Sequence, residues 1–552
     1  MIGTRPTNYL TAKLIEPVSL TLPIATYFEL FQRDNYGFLL DSALPSATVG
    51  QYSYVGGNPF LVYRATRLRR HTAGSRSDPN GSPHSKSGRT KSGDGDFEFP
   101  GTVQHARCEV LHFTDSELPD QVEPSSETIA DPFAHLQSLL DQYAPPTANG
   151  SAISFPLTAG AVGYFGYEAG HLLEDLPDTG RDDLNLPDIY FMFCRQILAH
   201  CHQTGASYLS VVGQGPDRPS AERHAAAILA DLRTRIREIE HEPPASWPPT
   251  PAVPSLERPE VEIRAHFDEA SYGRCVEKIK EHIYAGDIYQ ACMTQRFESP
   301  LYGGDSWNLY QELRRINPAP FACYLRFPEA TVASASPERF LKLDDGRVAE
   351  SRPIKGTRPR STMPEADLAL RNELRDSLKD QAENTMIVDL VRNDFGRVCK
   401  FRSVHVPELK AIEAYATVYQ MVSTIRGTLQ EEYKPIDRIR ACFPGGSMTG
   451  APKIEAMKVI DQLEPVCRGI YSGAIGYLDF TGQMDLSIVI RSFVVKDEIC
   501  YFHVGGAVVA DSDPRAEYQE TLTKARALKQ ALENVQRWTE PEVPQTSAET
   551  LA

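Results

Sequence analysis

Short alternating runs of apolar and polar residues occupy the first part of the chain. Between positions 10 and 66, the stretches PVSLTLP, YGFLLDSAL and QYSYVGGNPFLVYRATRL are separated by turn-forming residues. Such runs, bounded by glycine, proline and asparagine, predict β-strands with one short helix among them. The strand pattern resumes at EFPGTVQHARCEVLHF and at GAVGYFGYEAG, and a helix is predicted over 132–143 between these two.

Helical periodicity becomes stronger further along the chain. Apolar residues recur every three or four positions over 219–240, which predicts an amphipathic helix with its cap at Ser220. The segment DEASYGRCVEKIKEHIYAGD has the same period and ends at Gly286, which is suited to a helix C-cap. A long helix is predicted over 364–391, and a last one is predicted to begin at Pro514.

Between these helices, the pattern predicts strands and two loops. ATVASASPERFLKLDDGRVAESRPIKGTRPR predicts a strand, a tight turn, a strand and then a basic loop. FPGGSMTGAPK predicts a glycine-rich loop that opens the helix IEAMKVIDQL. The free N–H groups at that helix start could hold a carboxylate, although the spacing is not that of a phosphate-binding loop.

Polar and proline-rich segments divide the chain. Residues 71–96 contain almost nothing apolar, so we expect a flexible insertion, with an RNA-binding arm as the alternative. The proline-rich stretch 243–262 predicts a semi-rigid linker. The predicted organisation is therefore an N-terminal region 1–242, the linker, a second region 263–536 and a disordered tail 537–552.

Composition excludes several classes of protein. The 552 residues are 41% hydrophobic, enough for a substantial core, and 57 basic against 73 acidic residues leave a net charge of −16. An acidic chain is repelled by phosphate backbones, so we expect no nucleic-acid binding. No apolar run reaches 18 residues and the N-terminus lacks a signal-type apolar stretch, so we expect no membrane span. Ten scattered cysteines without a C-x-x-C pair indicate reduced thiols and a cytoplasmic protein.

Two pairs of acidic residues stand at helical spacing. Asp380 and Glu383 are three positions apart in one predicted helix, and Glu517 and Glu520 are three apart in another. This spacing puts both members of a pair on one helix face. If the two faces met, their oxygens could bind a hard cation such as Mg²⁺, and the alternative is two solvated faces.

Two cationic residues have unusual surroundings. Lys355 lies in SRPIKGTRPR, where three arginines crowd it and could depress the pKa of its amine enough to leave a neutral nucleophile. Arg491 lies within the apolar run DLSIVIRSF, so it either pairs internally or meets a bound anion. His503, in YFHVGG, is interpreted as a structural strand residue. These residues together predict a Mg²⁺-dependent site for a small anion.

Several longer strings resemble one known family. AGDIYQACMTQRF, RPIKGTRPR, AENTMIVDLVRNDFGRV, FPGGSMTGAPKIEAM and ADSDPRAEYQETLTKA are very similar to segments of the chorismate-utilising enzymes. The resemblance runs from about Leu14 to Leu532. Within the family, the PIKGT string with its lysine is typical of the aminodeoxychorismate type, whereas anthranilate synthases typically have alanine at the position of Lys355. Gln420 stands where anthranilate synthases usually have a histidine linked to pyruvate elimination.

The resemblance implies a fold and a set of site residues. The implied fold is α+β, a large sandwich of two packed, mainly antiparallel sheets with outer helices. Lys355 would be the nucleophile and Glu338 the general acid or base. Mg²⁺ would bind Glu383 and Glu520, with Asp380 and Glu517 in the outer shell. The implied substrate contacts are Arg491, Tyr471, Ser447, Thr357, Lys524, Gly505 and Gly506.

The resemblance also implies a reaction and partners. Chorismate would be aminated to 4-amino-4-deoxychorismate through a Lys355 adduct, for p-aminobenzoate and folate biosynthesis. Ammonia would come from a separate glutamine amidotransferase subunit, because the chain lacks a G-[VIL]-C-L-G-x-Q motif. Relatives bind tryptophan between their sheets, and the matching positions include Ser42, Asn317 and Pro318, although Asp41 replaces the more common Glu. The alternatives are component I of anthranilate synthase, an isochorismate or salicylate synthase, and a non-catalytic tryptophan-binding subunit.

Overall fold

The computed structural model describes most of the chain. The described residues are 10–32, 34–44, 49–69, 105–113, 124–145, 155–244, 261–301, 305–415 and 418–538. The predicted insertion 71–96, nearly all of the predicted linker 243–262 and nearly all of the predicted tail 537–552 lie outside these ranges.

Twenty-two strands lie in the described part of the chain. They are β1 Leu10–Val18, β2 Gly37–Asp41, β3 Tyr52–Arg67, β4 Ala106–His112, β5 Ser125–Ile129, β6 Gly160–Phe165, β7 Ile189–Cys201, β8 Ser207–Gly215, β9 Arg264–Ala265, β10 Gln290–Pro300, β11 Phe321–Arg326, β12 Thr331–Ser336, β13 Arg339–Leu343, β14 Val348–Arg352, β15 Ile354–Pro359, β16 His405–Ala414, β17 Val418–Thr428, β18 Gly450–Ala451, β19 Ala474–Asp479, β20 Met484–Ile488, β21 Ser492–Lys496 and β22 Ile499–Val508.

Nine α-helices accompany these strands within the same ranges. They are α1 Pro132–Tyr143, α2 Arg218–His241, α3 Glu269–Ala285, α4 Ser306–Ile316, α5 Pro364–Asp376, α6 Leu378–Gly396, α7 Pro435–Cys442, α8 Lys453–Leu463 and α9 Pro514–Trp538.

The strands form two antiparallel sheets that share β3 and β7. One sheet runs β9-β10-β22-β21-β12-β11-β2-β3-β7-β8-β1. The other runs β5-β4-β3-β7-β6-β19-β20-β13-β14-β17-β16, with β15 also paired to β17. Each sheet therefore joins a block of strands from the N-terminal region to a block from the second region, through the pair β2–β11 in one sheet and the pair β6–β19 in the other.

A break in the long strand β3 lets it serve both sheets. Its register with β7 shifts between Pro59 and Leu61, and Asn58 has a positive φ of 49°. An extra residue in one strand of an antiparallel pair bends it. The first half of β3 consequently pairs with β2, and the second half pairs with β4.

Alternating side chains fill three layers of apolar core. On β2, Phe38 faces the core between the sheets, and the next residue, Leu39, faces the core under α2, α4 and α9. Successive strand side chains point to opposite faces, so one strand supplies both layers. A third core lies between the other sheet and the helices α1, α6 and α7. The predicted sandwich with outer helices is confirmed.

Several local predictions are confirmed. The helix predicted over 132–143 is α1, and Gly286 caps α3 with a left-handed φ of 84°. Pro514 is the first residue of α9. The glycine-rich segment leads through a short 3-10 turn, Gly446–Met448, into α8 as expected.

Other local predictions are wrong. The helix predicted over 364–391 is broken at Ser377, whose hydroxyl accepts the Asp380 N–H at 3.3 Å and caps α6. The helix predicted over 219–240 is present as α2, but its cap is Asp217 and not Ser220. The predicted basic loop is β15, which gains the hydrogen-bonding partner β17 that is about 60 residues away along the chain.

Two further observations concern the chain as a whole. All ten cysteines are free thiols. No helix in the described ranges is both long enough and apolar enough to cross a membrane.

Candidate active site

Four elements from distant parts of the sequence bring the predicted site residues together. Lys355 lies on β15, Glu383 on α6, Gly506 on β22 and Glu520 on α9. In the folded chain, α6 packs against β15 and α9 packs against β22. The site is therefore assembled where these two helix–strand pairs meet.

Lys355 faces a carboxylate. Its Nζ atom lies 3.9 Å from Glu383 Oε2, and both side chains are only 13% exposed. Each of the three arginines that surround this lysine in the sequence has its own carboxylate partner. The pairs are Arg352 with Glu413, Arg358 with Glu373 and Asp380, and Arg360 with Asp367.

Glu338 is a buried acid beside Lys355. Burial raises the pKa of its carboxyl group to about 7, while a hydrogen bond from the Ser447 hydroxyl, the charge of Lys355 and the Ile354 N–H act in the opposite direction. Glu338 and Ser447 line one cavity, together with Gly445 and Gly446. A carboxyl group with this pKa is able to give or take a proton near neutral pH.

Three carboxylates converge between α6 and α9. Lys379 Nζ lies 4.0 Å from Glu383 Oε1 and 4.0 Å from Glu517 Oε1, so it bridges the two helices. Glu520 Oε1 pairs with Lys524 Nζ at 2.6 Å. Burial raises the pKa of both Glu383 and Glu517. At Glu520 burial also acts upward, but Lys524, Lys379 and Lys355 together lower the pKa.

A glycine leaves space beside these carboxylates. A Cβ atom added at Gly506 would stand 2.9 Å from Glu517 Oε2 and 3.4 Å from Glu520 Oε1. Glu517 Oε1 accepts the Ser512 hydroxyl at 2.7 Å, but its Oε2 atom is buried and has no hydrogen-bond partner among the described residues. A buried carboxylate oxygen without a partner is costly, so this atom needs a cation or a donor.

The chemistry of these donors fits a hard cation. Carboxylate oxygens are the ligands that Mg²⁺ prefers. Glu517 and Glu520 supply them beside Gly506, in a space called the Gly506 cradle below, and Glu383 approaches Glu517 through the shared Lys379. Within the described ranges, no three acidic, histidine or cysteine side chains already surround one point at ligand distance. Instead, the lysines Lys355, Lys379 and Lys524 stand between the carboxylates and neutralise them.

Asp380 is turned away from this cluster. Its Oδ2 atom pairs with Arg358 Nη2 at 3.2 Å. A Cβ atom at Gly356 would lie 2.8 Å from Asp380 Cγ, and the φ of Gly356 is +82°. The glycine therefore serves both the left-handed backbone and the close approach of α6 to β15.

Arg491 and Tyr471 form the opposite wall. Arg491 is not on a strand, as its apolar neighbours suggested, but in the turn between β20 and β21 with a φ of 55°. Its Nη1 atom donates to the Lys524 carbonyl, and no described carboxylate lies within ion-pair distance. Burial lowers its pKa, opposed by Tyr471 and Glu520. The arginine is thus available to an anion.

The ring of Tyr471 stacks on His503. Their centroids are 4.9 Å apart at an interplanar angle of 14°. Burial lowers the pKa of His503 well below its usual value, and its Nε2 atom has no hydrogen-bond partner in the described structure. His503 lies on β22, as the sequence predicted, although this nitrogen has no described partner. Nearby, Lys524 Nζ donates to the Gly505 carbonyl at 2.7 Å.

The remaining predicted residues are more scattered. Thr357 is exposed on β15, where it pairs with Gln420 of β17. Ser42 lines a second cavity between the sheets, together with Asp41, Pro320 and Phe321. Asn317 and Pro318, predicted from the resemblance to contact tryptophan with Ser42, do not line it. Asp41 accepts hydrogen bonds from Tyr310 and Arg314 of α4.

Two residues of the site escaped the sequence analysis. Lys379 was detectable, because it stands four positions before Glu383 on the same helix face. Ser512 stands two positions before the predicted helix start at Pro514, and its hydroxyl donates to Glu517.

Comparisons with known proteins agree with this arrangement. The model of the chorismate binding enzyme family matches residues 92–530. Aminodeoxychorismate synthase of Streptomyces pristinaespiralis is 43% identical over 72% of this chain, which spans only 54% of that relative. Aminodeoxychorismate synthase component 1 of Salmonella typhimurium strain LT2 is 39% identical, over 74% of this chain and 84% of the relative.

A solved structure agrees as well. Anthranilate synthase component I of Streptococcus pneumoniae TIGR4 superposes with a TM-score of 0.65 and 26% identity, covering 88% of this chain and 93% of that one. The family match covers well over half of the chain, and the fold and the convergence of its motifs agree with it. This protein therefore belongs to the chorismate binding enzyme family.

Proposed function

We propose that this chain aminates chorismate to 4-amino-4-deoxychorismate, as component I of an aminodeoxychorismate synthase. The observation that carries the proposal is the position of Lys355, whose amine lies 3.9 Å from Glu383 and whose charge acts on the buried acid Glu338. An amine and a carboxyl group with a pKa of about 7 are a nucleophile and a proton donor for the exchange of a hydroxyl group.

Binding of the substrate follows from the charges of the site. Chorismate carries two carboxylates, and Arg491 offers a buried guanidinium without a carboxylate partner. Tyr471 stacks on His503 and forms a flat wall beside it. A buried cation attracts an anion more strongly than an exposed one, because water screens it less. Arg491 would therefore orient the substrate by one of its carboxylates.

The chemistry proceeds in two displacements. Lys355 Nζ, as the free amine, forms a bond to C2 while both ring double bonds shift, to C1=C6 and C4=C5, and the C4–O bond breaks. Glu338 gives its proton to the departing hydroxyl, which leaves as water, and then takes a proton from the new lysine–carbon amine. Ammonia next bonds to C4, both double bonds shift back to C1=C2 and C5=C6, and the lysine leaves C2 with the proton that ammonia gives up.

Glu383, Glu517 and Glu520 would hold Mg²⁺, which supplies positive charge for the second carboxylate of the substrate and draws electrons from the ring. The same carboxylates pair with lysines in the described structure. For the first displacement, Lys355 must leave its pair with Glu383.

Ammonia would come from a glutamine amidotransferase on a separate chain. Free ammonia is scarce at neutral pH, and the sequence has no amidotransferase nucleophile motif. The name of the Salmonella relative, aminodeoxychorismate synthase component 1, is consistent with a second component.

The test is a product assay with the purified chain, chorismate, Mg²⁺ and an ammonium salt at mildly alkaline pH. Mass spectrometry separates 4-amino-4-deoxychorismate from anthranilate. We expect the aminated product without pyruvate, and we expect it to disappear in Lys355→Ala. A product lacking nitrogen, such as isochorismate, would contradict the proposal.

A second candidate is anthranilate synthase component I, since a solved structure of that name shares the fold over 88% of this chain. Anthranilate with released pyruvate would establish it. Against it stands Gln420, which is buried on β17 opposite Thr357 and cannot act as the titrating group of an elimination.

A further inference from the structure

The turn that carries Tyr471 has no regular structure of its own. It joins α8 to β19, and two of its residues, Gly469 and Ser472, have left-handed φ values of 62° and 65°. A non-glycine residue in that region is strained and needs support from its surroundings. Side chains elsewhere must therefore hold this turn in place.

The first support is Arg468, which is buried within the turn. Its guanidinium pairs with both oxygens of Glu464, at 2.7 and 2.8 Å. It also donates to the Met448 carbonyl at 2.7 Å and to the Cys292 carbonyl at 2.7 Å. One planar group thus ties the Tyr471 turn to β10 and to the glycine-rich segment, where Ser447 donates to Glu338.

The second support comes from the N-terminal region. The Glu168 carboxylate accepts the backbone N–H of Arg468 at 2.7 Å and that of Gly469 at 2.8 Å. In return, the Tyr167 N–H donates to the Gly469 carbonyl at 2.7 Å, and the Tyr167 ring lies 4.5 Å from the Arg468 guanidinium carbon. The backbone of the turn is therefore held from both sides.

We infer that Glu168 and Arg468 are positioning residues of the chorismate site, an inference that rests on the proposed function. Together they set Tyr471 relative to Ser447 and Glu338, although neither has been assigned a contact with the substrate. A carboxylate from the N-terminal region thus takes part in shaping a site whose proposed reacting groups all belong to the second region. Small displacements of substrate-positioning groups are costly, on the order of a hundredfold in rate for about 1 Å.

The variant that tests the inference is Glu168→Gln, which keeps the shape of the side chain. A carboxamide has one accepting oxygen, so one of the two N–H groups would face an NH₂ donor. The matched control is Asp479→Asn. Asp479 is also buried and accepts the backbone N–H groups of Thr158 and Ala159, at 2.6 and 2.9 Å, between the same two regions. It lies at the far end of β19, roughly 17 Å from the Tyr471 turn by strand length.

The measurements are the melting temperature, chorismate binding by calorimetry with Mg²⁺ present, and steady-state kinetics with ammonium. We expect similar losses of melting temperature in both variants. Chorismate binding should weaken about tenfold or more in Glu168→Gln, with a matching rise in KM, and change less than twofold in Asp479→Asn.

Arg468→Lys is the second variant. It keeps the charge beside Glu464 but cannot reach the Met448 and Cys292 carbonyls at the same time, so kcat should fall as well as affinity. If Glu168→Gln binds chorismate as well as Asp479→Asn does, the two residues are merely structural and the inference is wrong. If the unaltered chain fails to bind chorismate, the proposed function fails instead.

Discussion

Lys355 Nζ lies 3.9 Å from Glu383 Oε2, across the gap between β15 and α6. The two residues are linked by a strand, a helix and the turn at Ser377, which caps α6. The proposed nucleophile is thus paired with a proposed metal ligand, so binding of a cation at Glu383 and release of the amine are coupled. Each of the following predictions depends on this cluster or on the acid beside it.

Replacing Lys355 by Ala should abolish covalent chemistry while leaving the fold intact. We expect formation of the aminated product to fall at least about a thousandfold, because the adduct cannot form. The control is Lys400→Ala, which removes a surface ion pair with Glu431 and should leave the rate unchanged. A rate for Lys355→Ala within tenfold of the original would exclude the adduct.

The rate should depend on ionisation of Glu338. Its pKa is raised to about 7 by burial, so the protonated acid is depleted as the pH rises through that value. We expect a decline of kcat on the alkaline side. Ser447→Ala removes a hydrogen bond that lowers this pKa, so the decline should move to higher pH. An unchanged pH profile in Ser447→Ala would argue against Glu338 as the proton donor.

The same group should make stability depend on pH. The folded protein binds a proton at Glu338 up to a pH of about 7, whereas the unfolded chain releases it near 4.5. The folded state therefore holds more protons between these values, and its stability should fall as the pH rises from 4.5 to 7. Denaturation of Glu338→Gln across this range should show a weaker decline than that of the unaltered chain.

Removing the carboxylates should abolish cation binding. Glu383→Gln, Glu517→Gln and Glu520→Gln each remove one anionic ligand, and we expect Mg²⁺ affinity to fall about tenfold or more in each. Calorimetry measures this without turnover. Glu431→Gln, at an exposed carboxylate on the surface, is the control and should bind as the unaltered chain does. Equal affinity in all four variants would show that Mg²⁺ binds elsewhere.

Gly506→Ala should fill the space beside Glu517 and Glu520 with a methyl group and leave every carboxylate in place. The added methyl group would stand 2.9 Å from Glu517 Oε2, closer than a Cβ contact allows. We expect loss of Mg²⁺ binding with little change in secondary structure. Gly396→Ala, on α6 with nothing within 4 Å of the new Cβ, should leave binding intact and stabilise the helix slightly. Normal Mg²⁺ affinity in Gly506→Ala would contradict the proposed cradle.

Some features of the fold could be predicted from the sequence because they depend on interactions between residues that are close along the chain. The helix α1, the Gly286 cap and the start of α9 at Pro514 each follow from side chains within a few positions of each other. The break at Ser377 was not predicted, because the apolar period continues through it and only the capping hydrogen bond distinguishes it. β15 was mistaken for a loop, since its strand character comes from pairing with the distant β17.

The amino-acid sequence shows which chemical groups are available and to which family the chain belongs. The spacing of Asp380 with Glu383 and of Glu517 with Glu520, the lysine in PIKGT and the lone Arg491 are all visible in it. Which charged side chains contact each other depends on the folded structure. In the folded chain, Asp380 pairs with Arg358. Lys379 lies between α6 and α9, which are more than a hundred positions apart in the chain. Glu168 of the N-terminal region accepts a hydrogen bond from the Tyr471 turn. Ion pairs and buried hydrogen bonds require separations of a few ångströms. The spacing of residues along the chain specifies such separations within one helix, but it does not specify them between elements that meet only in the folded sheets.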